Sequence, residues 1–536
     1  MNIDSYDVVV VGSGLTGGWA AKTLTEGGAR VLLLDAGSEL TLNNDIPEDS
    51  NGELVAPTDP SVPVIQAHQP IQSKHRECTD CNRHLFVNDF DHPYETPSER
   101  PFFWIRGRQV GGRSLTWAGL TLRYSDLDFQ APKLDSYGQA WPFTYKELDP
   151  FYTKVEQFMG VYGNQDGIAV VPDGAFLSAK EMSRAESFFK KVIEGAWAER
   201  RVIIGRGIER RPRDISDTTT HYWPAFSSQA STLKAAFATG RLTLRSNCIV
   251  EQLLADPTSD LVTHIVVVDR TSLARTAIPC PLVVLCASTL ESTRILLNSS
   301  TDIYQGGLGN SSGVVGKYLM DHPTISVEGI VPGFPLPTLP FGGPHSIYIP
   351  RFRNLGQHQQ MFLRGYGIWG GIQRQFKGWH NFPNPEFGLY ASCEMLPESK
   401  NHVYLSPTLR DRYGIPVLHI DCSYSSNEFA LAEDALTSMR EMVSLAGFEI
   451  TNERSLTVPG LFVHEVGTIR MGSDPKTSAL SPFNQSWDIP NLFVTDGSCF
   501  VSCGSQNPSL TMMAITARTC QFILKEVGRG NRFDRR

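Results

Sequence analysis

The chain lacks several features that would place it in other broad classes of protein. No apolar run approaches the roughly 18–20 residues that a membrane-spanning helix needs. Positive charge is not in excess, since the net charge is −8, and this balance argues against nucleic acid and anionic membranes as partners. Internal repeats and low-complexity segments are also missing. Of the 536 residues, 41% are apolar and only 19% are charged, which excludes a disordered protein.

Regularly paired cysteines are missing too, so we expect the ten cysteines to be mostly reduced. One cluster, His75, Cys78, Cys81 and His84, carries zinc-type side chains. Its even spacing does not match a zinc finger, and a polar surface loop is the simpler interpretation, so we predict no metal. The first apolar segment starts too close to residue 1 for a signal peptide to precede it, and a cytoplasmic location is the expectation.

The first distinctive pattern lies near the start of the chain. Residues 6–11 predict a buried strand, which runs into Gly12-Ser13-Gly14-Leu15-Thr16-Gly17 and then into a helix over residues 18–24. A second strand, residues 30–34, ends at Asp35, where a carboxylate would bind ribose hydroxyls. Strand, turn, helix, strand and acid in this order predict a dinucleotide site; a glycine-rich turn without a ligand is the alternative.

Each glycine of this pattern has a physical reason. Gly12 allows the tight turn after the strand, Gly14 lets the backbone approach a pyrophosphate, and Gly17 lets the helix pack closely on the sheet. The pyrophosphate then lies at the helix N-terminus, where free N–H groups and the helix dipole favour negative charge.

The second distinctive pattern lies near the other end of the chain. His464 opens the segment His464-Glu465-Val466-Gly467-Thr468-Ile469-Arg470-Met471-Gly472, and Asn507 lies in Ser505-Gln506-Asn507-Pro508-Ser509-Leu510-Thr511. A base that titrates near neutrality and a neutral amide are suited to removing a proton from an alcohol while its carbon gives up hydride. The dinucleotide site would hold the hydride acceptor. A polar histidine with a purely structural role is the alternative.

Hydrophobic periodicity indicates the other elements. A Pro-, Asp- and Asn-rich surface loop follows Gly37, and the glycine-rich segment 106–119 suits a backbone wrapped against a cofactor or, alternatively, a turn-rich structural loop. Predicted helices cover residues 181–198, 231–239, 290–297 and 427–446, and predicted strands cover residues 242–250, 262–268 and 282–286.

Aromatic residues and glycines crowd the segment 348–387. Trp369 lies there close to the polar residues Gln373 and Arg374. Aromatic side chains interleaved with polar ones can form a wall on which a sugar or another polyol stacks, and these three are candidate substrate contacts. They can equally be part of an ordinary core.

Taken together, the motifs resemble the glucose-methanol-choline (GMC) family of FAD-dependent oxidoreductases over nearly the whole chain. The resemblance rests on Gly12 to Gly17 with Asp35-Ala36-Gly37, Arg108 to Gly119, Trp141-Pro142-Phe143, Ala287 to Ser292, His464 to Gly472, and Asp496-Gly497 with Asn507 to Thr511. Within that family the His/Asn pair resembles the branch of pyranose 2-oxidase, C-glycoside 3-oxidase and cholesterol oxidase.

The resemblance implies an α/β fold, with a Rossmann-like FAD-binding domain and a discontinuous substrate domain built on an antiparallel sheet. The FAD-binding domain would comprise residues 1–150, with a long inserted loop at 38–105, together with 236–325 and 461–536. The substrate region would comprise a helical part, 151–235, and a main part, 326–460.

The resemblance also implies the site residues. His464 would be the catalytic base and Asn507 its partner at the alcohol oxygen, while Val250 would meet the adenine through its main chain. FAD contacts are expected from Gly12, Gly14, Thr16, Gly17, Asp35, Ala36, Arg108, Gly112, Ser114, Trp117, Ala118, Val250, Asp496, Gly497, Asn507, Ser509 and Thr511. Thr116 stands where covalently flavinylated pyranose oxidases have histidine, so we expect the FAD to be non-covalent.

The expected reaction is hydride transfer to flavin N5 from a ring secondary alcohol of a sugar or glycoside, at C2 or C3 of a pyranose, with O₂ or a quinone reoxidising the flavin. Three alternatives stay open: a non-sugar alcohol of a specialised metabolite, a lyase on the same fold, and a nicotinamide dehydrogenase, in which the C-terminal motif would have no role. A pure binding protein would leave His464 and Asn507 unexplained.

Overall fold

The computed structural model describes residues 6–40, 67–75, 78, 82–208, 226–335, 346–356, 359–372 and 385–528. At its centre is a five-stranded parallel sheet, here called the parallel sheet, whose strands lie in the order Leu492–Val494, Val283–Leu285, Val8–Val11, Val31–Leu34 and Leu242–Arg245. The first four strands are buried valine, leucine and phenylalanine, as expected for a sheet covered on both faces.

The helix Leu15–Glu26 begins directly after the glycine turn and ends at Gly27. It packs against Ser509–Gly528 and Thr232–Ala238, while Thr289–Asn298 follows the strand Val283–Leu285. The predicted helices at 18–24, 231–239 and 290–297 are therefore present, each within a few residues of its expected ends.

The predicted strand 242–250 is wrong as a single element. It divides into Leu242–Arg245, on the edge of the parallel sheet, and Cys248–Asp256, which starts a three-stranded antiparallel meander with Leu261–Asp269 and Arg275–Pro279. Between the two strands Asn247 has a φ of 54°, a left-handed conformation that asparagine tolerates. Val250 is consequently the third residue of its strand and not the last, contrary to expectation.

A six-stranded sheet, here called the antiparallel sheet, forms the second large part of the molecule. Its strands lie in the order Glu449–Arg454, Thr324–Ile330, Glu386–Cys393, Tyr366–Ile372, Ile347–Ile349 and Ile203–Ile204. Two helices, Arg184–Ala196 and Ser426–Leu445, pack on it around a separate apolar core. Both helices begin with a capping box, Ser183 with Glu186 and Ser425 with Glu428.

The remaining elements are short apart from one helix and one hairpin. They are the helices Asp126–Phe129, Pro132–Asp135 and Tyr145–Met159, the 3₁₀ turns Gln72–Lys74, Arg83–Leu85, Gly112–Leu115 and Gly497–Cys499, the strand pair Val161–Tyr162 and Gly207–Ile208, and the hairpin His402–Arg410 with Pro416–Asp421. In the part of the chain described, no helix is both long and apolar enough to cross a membrane.

The predicted fold class, α/β with a Rossmann-like part and a sheet-based substrate part, is confirmed. The domain boundaries stay a proposal. The hairpin at 402–421 falls inside the expected substrate part 326–460, yet its buried Val403, Leu418 and Ile420 belong to the large apolar cluster that includes strands of the parallel sheet.

Candidate active site

The glycine turn after the first strand forms a cradle of the kind a dinucleotide needs. Gly12 has a φ of 91°, which disfavours any residue with a side chain. A Cβ at Gly17 would lie 1.7 Å from the carbonyl oxygen of Gly12, so the helix could not approach the turn with a larger residue there. A Cβ at Gly14 would meet no atom within 4 Å, and the first helical turn has no acidic residue. The residues present fit the pyrophosphate of FAD.

Asp35 holds this turn together, a role that its sequence position did not reveal. Its carboxylate accepts hydrogen bonds from the Ser13 backbone N–H at 2.9 Å, the Ser13 hydroxyl at 2.5 Å and the Gly37 N–H at 2.7 Å. Burial raises the pKa of Asp35, although these hydrogen bonds oppose the rise. The Ser13 hydroxyl oxygen also accepts from the Gly111 N–H at 2.8 Å. Contact between Asp35 and a ribose stays a prediction.

The glycine-rich segment 106–119 lies against the fingerprint turn. A Cβ at Gly112 would come within 3.4 Å of Gly14 Cα, so the two glycine loops face each other. Several of the polar residues expected to contact FAD have protein partners. The guanidinium of Arg108 pairs with Glu291 at 3.0 Å, and the Trp117 indole N–H donates to the Phe226 carbonyl at 2.8 Å.

The other expected FAD contacts lie around these loops. Thr16 is buried in the first helix, and Ser114 is buried and donates to the Gly111 carbonyl. Ala36 lies beside the antiparallel meander, and Ala118 is exposed. Ser509 is the first residue of the last helix, and the Thr511 hydroxyl lies 2.7 Å from that of Tyr152.

Asp496 and Gly497 lie next to the segment that carries His464. Asp496 accepts hydrogen bonds from the Ser292 hydroxyl and the Ser288 N–H, so it anchors the start of the helix Thr289–Asn298. A Cβ at Gly497 would lie 2.9 Å from the carbonyl oxygen of Glu465, which leaves room for no larger residue. The expected contacts of both residues with FAD stay a prediction.

His464 and Asn507 meet, as the sequence predicts for a catalytic pair. Asn507 Nδ2 lies 3.1 Å from His464 Nε2, although 43 positions separate them in the chain. On its other side, His464 Nδ1 lies 2.7 Å from Nδ1 of His322, a residue that the sequence analysis missed. Nothing in the linear spacing could have found His322, because it precedes His464 by 142 residues.

Both imidazoles are expected to be neutral at neutral pH. Burial, followed by the neighbouring His322, Arg113 and His75, lowers the pKa of His464 well below its ordinary value. Burial also lowers the pKa of His322 to about 4, although a hydrogen bond to Gly504 opposes the fall. A neutral imidazole is the form that can accept a proton.

The segment that carries His464 is anchored on several sides. The backbone N–H of His464 donates to the Asp321 carboxylate at 3.0 Å, and Met320 and Val466 exchange two backbone hydrogen bonds. Burial raises the pKa of Asp321 to about 7, with Glu465 adding to the rise. Further along, Gly467, Ile469 and Met471 donate to the carbonyls of residues 497–499. These hydrogen bonds connect the segment that carries His464 to the segment that precedes the last helix.

Aromatic rings continue from His464 into the antiparallel sheet. Phe462 packs edge-to-face on His464, with ring centroids 4.6 Å apart, and lies nearly parallel to Trp369 at 6.1 Å. Trp369 stacks on Tyr390 at 4.3 Å and is only 4% exposed. The predicted substrate contact Trp369 therefore lies behind Phe462, the partly exposed ring that the sequence analysis missed. Gln373 and Arg374 lie outside the described residues.

Of the His75 cluster, the structure describes His75, Cys78 and His84. Cys78 is buried among apolar residues, including Leu85 and Ile105, and this group packs against Val463 in the segment before His464. Among the described residues, which exclude Cys81, no group of three potential ligands could hold a metal ion. Apart from Cys78, the cysteines in the described part of the chain are free thiols.

A dinucleotide cradle, a histidine and an amide are parts that a flavin-dependent enzyme oxidising alcohols needs. The family description "GMC oxidoreductase" matches residues 397–516, which include both His464 and Asn507. Over these residues the chain matches the GMC oxidoreductases, which are FAD-binding flavoproteins, and its glycine cradle fits that cofactor.

Two curated relatives match along almost the whole chain. The 2-methyl-1,2-propanediol dehydrogenase of Mycolicibacterium austroafricanum is 27% identical over 97% of this chain and 95% of that enzyme. The fructose dehydrogenase large subunit of Gluconobacter japonicus is 25% identical over 98% and 99%, respectively. C-glycoside 3-oxidase of Arthrobacter globiformis, from the branch expected from the motifs, is 27% identical over only 27% of this chain and 28% of that enzyme.

Solved structures confirm the fold. Pyridoxine 4-oxidase from Mesorbium loti aligns over 96% of this chain and 99% of its own, with a TM-score of 0.63 and 20% identity. At this identity the likeness concerns the architecture and leaves the substrate open.

Proposed function

We propose that the protein oxidises a ring secondary alcohol of a sugar or glycoside to the ketone, with His464 as the base and Asn507 as its partner. The observation that carries the proposal is the neutral imidazole with Nε2 3.1 Å from the amide of Asn507, next to a cradle that fits FAD. The resulting reaction removes one proton and one hydride from a CH–OH group.

The chain's residues account for the proton and for orientation. His464 Nε2 accepts the hydroxyl proton, and the Asn507 amide donates a hydrogen bond to the same oxygen, which fixes the carbinol C–H in one direction. FAD, when bound, supplies the acceptor for the two electrons and the hydrogen that leave the carbon. The surroundings of His464 lower its pKa and so keep it in the neutral form that can accept the proton.

The proposed substrate class rests on the aromatic wall beside His464, which is formed by Phe462 with Trp369 behind it. Phe462 presents a partly exposed ring next to His464, and the C–H face of a pyranose packs well on an aromatic ring. The fructose dehydrogenase match, along nearly the whole chain, supports a sugar. We place the oxidised carbon at C2 or C3 of the ring, in a free sugar or in a glycoside with a larger aglycone.

One observation favours a second candidate, a small branched or otherwise apolar alcohol. The cluster behind Phe462 is apolar, with Leu120, Val171 and Trp369 among its members. The similarity to a 2-methyl-1,2-propanediol dehydrogenase points the same way. In both cases the base, its partner and the cofactor are the same, so the two candidates differ only in what packs against the wall.

An anaerobic visible spectrum distinguishes them. The purified flavoprotein is mixed with glucose, fructose, a methyl glucoside, an aryl C-glycoside and 2-methyl-1,2-propanediol, and loss of flavin absorbance is followed. Bleaching by a pyranose or glycoside supports the proposal. If only the diol bleaches the flavin, the substrate class is the second candidate; if no alcohol does, a non-redox reaction on this fold becomes the better explanation.

The role of His464 is tested by rapid mixing with whichever alcohol of that panel bleaches the flavin. His464→Ala should retain FAD and slow flavin reduction by roughly 10²–10⁴-fold, the usual contribution of a positioned base. Asn507→Ala should slow it less, because it removes an orienting hydrogen bond. The control is His264→Ala on the meander, where the ring Nδ1 lies 3.1 Å from the neighbouring Thr263 hydroxyl. Normal reduction in His464→Ala would refute the mechanism.

A further inference from the structure

His322 is a buried histidine that contacts both His464 and Phe462. It lies just before the strand Thr324–Ile330 of the antiparallel sheet, and its side chain is fully buried. Its two ring nitrogens have different partners: Nδ1 faces His464 Nδ1 at 2.7 Å, and Nε2 faces the carbonyl oxygen of Gly504. Two buried imidazoles in contact need a definite arrangement of protons, and the partners at each end of the pair determine it.

The Gly504 carbonyl sets the direction of the hydrogen bonds. A carbonyl oxygen only accepts, so His322 Nε2 must carry a proton, and a neutral His322 then has a bare Nδ1. That bare nitrogen accepts from His464 Nδ1, which must therefore carry the proton of the neutral ring. Nε2 of His464 is left unprotonated and faces Asn507.

The far end of the chain of hydrogen bonds agrees with this direction. Asn507 turns its amide nitrogen, a donor, toward His464 Nε2. A protonated Nε2 would place two donors against each other, whereas a bare Nε2 satisfies both groups. With both rings neutral, this arrangement pairs a donor with an acceptor at each contact from the Gly504 carbonyl to the Asn507 amide.

A thiol offers the one competing arrangement among the described neighbours. Cys503 Sγ lies 3.1 Å from His322 Nε2 and could donate to it, which would reverse the relay. A thiol is a weak donor, however, and the same Sγ lies 3.4 Å from the Gly504 carbonyl, where it can donate instead. The carbonyl contact of His322 is the shorter of the two and is the one we expect to set the direction.

We propose that His322 is a positioning residue, which holds His464 in the tautomer whose Nε2 is free to accept the substrate proton. The proposal rests on the proposed role of His464 as base. An isolated neutral histidine has no partner that selects this tautomer; here the choice is transmitted from a backbone carbonyl through a second ring. When His464 takes up a proton, His322 still accepts from Nδ1 and so stabilises the imidazolium, without itself touching the substrate.

The test reads the tautomer directly and needs no substrate. The holoenzyme is labelled with ¹⁵N-histidine, His464 is assigned through His464→Asn, and long-range ¹H–¹⁵N spectra are recorded near pH 7.5. We expect a protonated, pyrrole-type Nδ1 and a bare, pyridine-type Nε2 for His464. A wild-type ring with the proton on Nε2 would overturn the proposal outright.

Three variants separate positioning from packing. In His322→Ala the preference should be lost or reversed, whereas in His322→Asn the amide oxygen can take the place of Nδ1 as acceptor and should retain the Nδ1–H form. Cys503→Ala removes the competing thiol and should leave the spectrum of His464 unchanged. An unchanged tautomer in His322→Ala, or a reversed one in Cys503→Ala, contradicts the relay. If His322→Ala does not fold, the spectra of the wild type and His322→Asn still show whether the tautomer of His464 is the expected one.

The outcome is independent of the proposed function. A relay found as described, in a protein whose His464→Ala variant is reduced by an alcohol at the normal rate, would refute the base and leave the hydrogen-bond arrangement intact. Slow flavin reduction in His464→Ala, together with the opposite tautomer of His464 in the wild type, would support the base and refute the relay.

Discussion

The two sheets of this protein differ in how directly their sequences determine what they do. In the parallel-sheet part, one continuous run from residue 8 to Asp35 supplies strand, turn, helix, strand and carboxylate. In the antiparallel-sheet part, the ring beside the base is Phe462, and Trp369, from a strand some ninety positions earlier, lies behind it. The expected cofactor site is thus encoded by one local stretch of sequence. The proposed substrate wall depends on contacts between distant segments.

A substitution should therefore have different effects in the two parts of the molecule. A change in the glycine turn acts on backbone that has no room to move, so it should affect FAD binding and folding together. A change in the aromatic wall acts on a partly exposed side chain, so under the proposed function it should alter substrate use while FAD stays bound. The following experiments test that division.

The largest effect is expected at Gly17. Gly17→Ala places a Cβ against the Gly12 carbonyl oxygen, at 1.7 Å if nothing moves, so the helix must shift away from the turn. We expect FAD content to fall close to zero and the free energy of unfolding to fall by about 1–3 kcal/mol. The flavin-to-protein absorbance ratio and urea denaturation measure the two quantities.

Two companion variants make this test specific. Gly14→Ala meets no protein atom, so the apoprotein should unfold as the wild type does while FAD affinity drops, because the methyl group occupies the space of the pyrophosphate. Gly195→Ala, also in open space and at the end of the helix Arg184–Ala196, should change neither. Full FAD content in Gly17→Ala would show that the cradle is more tolerant than its geometry indicates.

A smaller effect is expected at His322, which lies where the two parts of the molecule meet. Its folded-state pKa, about 4, is below the ordinary value of 6.5, so its contribution to stability is present above pH 6.5 and is lost as the pH falls toward 4. We expect this group to remove about 1–3 kcal/mol over that interval. Urea midpoints at several pH values, compared between wild type and His322→Asn, isolate the contribution.

The comparison with His322→Asn is needed because Asp321 acts in the opposite direction. Its pKa is raised to about 7, so its contribution is greatest at low pH and is lost as the pH rises from about 4 to 7. Only the difference between the two proteins reports on His322. Parallel pH profiles for wild type and His322→Asn would mean that the pKa of His322 is the same in the folded and unfolded chains.

The smallest effect is expected at Phe462. Phe462→Ala removes the ring between Trp369 and His464, and an aromatic contact of this kind contributes about 0.5–1.5 kcal/mol. KM for the best alcohol of the panel should therefore rise about twofold to tenfold, with FAD content unchanged. Phe429→Ala, at a well-exposed phenylalanine on the helix Ser426–Leu445, is the control. A loss of FAD in Phe462→Ala would break the proposed division between the two parts.

The division also explains what the sequence could predict. The helices and strands of the parallel-sheet part have strong periodicity, and the predicted elements around Gly12 to Gly17 are present. The pairing of His464 with Asn507 followed from chemistry and family resemblance, and the two side chains are in contact. The prediction failed at residues 242–250, because a left-handed Asn247 interrupts an apolar run that otherwise resembles one strand.

The parts of the site that could not be predicted depend on contacts across the chain. His322 has no distinguishing neighbour in sequence, and only its contact with His464 gives it a role. Phe462 differs, because it lies two positions before His464 in the same segment. Asp35 was expected to face a ribose, yet its hydrogen bonds to Ser13 and Gly37 show a structural task that position alone does not indicate. That FAD is held without a covalent bond stays a prediction from Thr116.

The backbone ladder between the His464 segment and residues 497–499 has a practical consequence for engineering. The ladder ties the proton acceptor to the part of the molecule that cradles FAD, whereas the aromatic wall belongs largely to the other sheet. Under the proposed function, libraries at Trp369 and Tyr390 of the antiparallel sheet are therefore expected to change the wall behind Phe462 while the ladder that holds His464 is kept. We therefore expect substrate preference to be changeable at the wall without changes to the ladder.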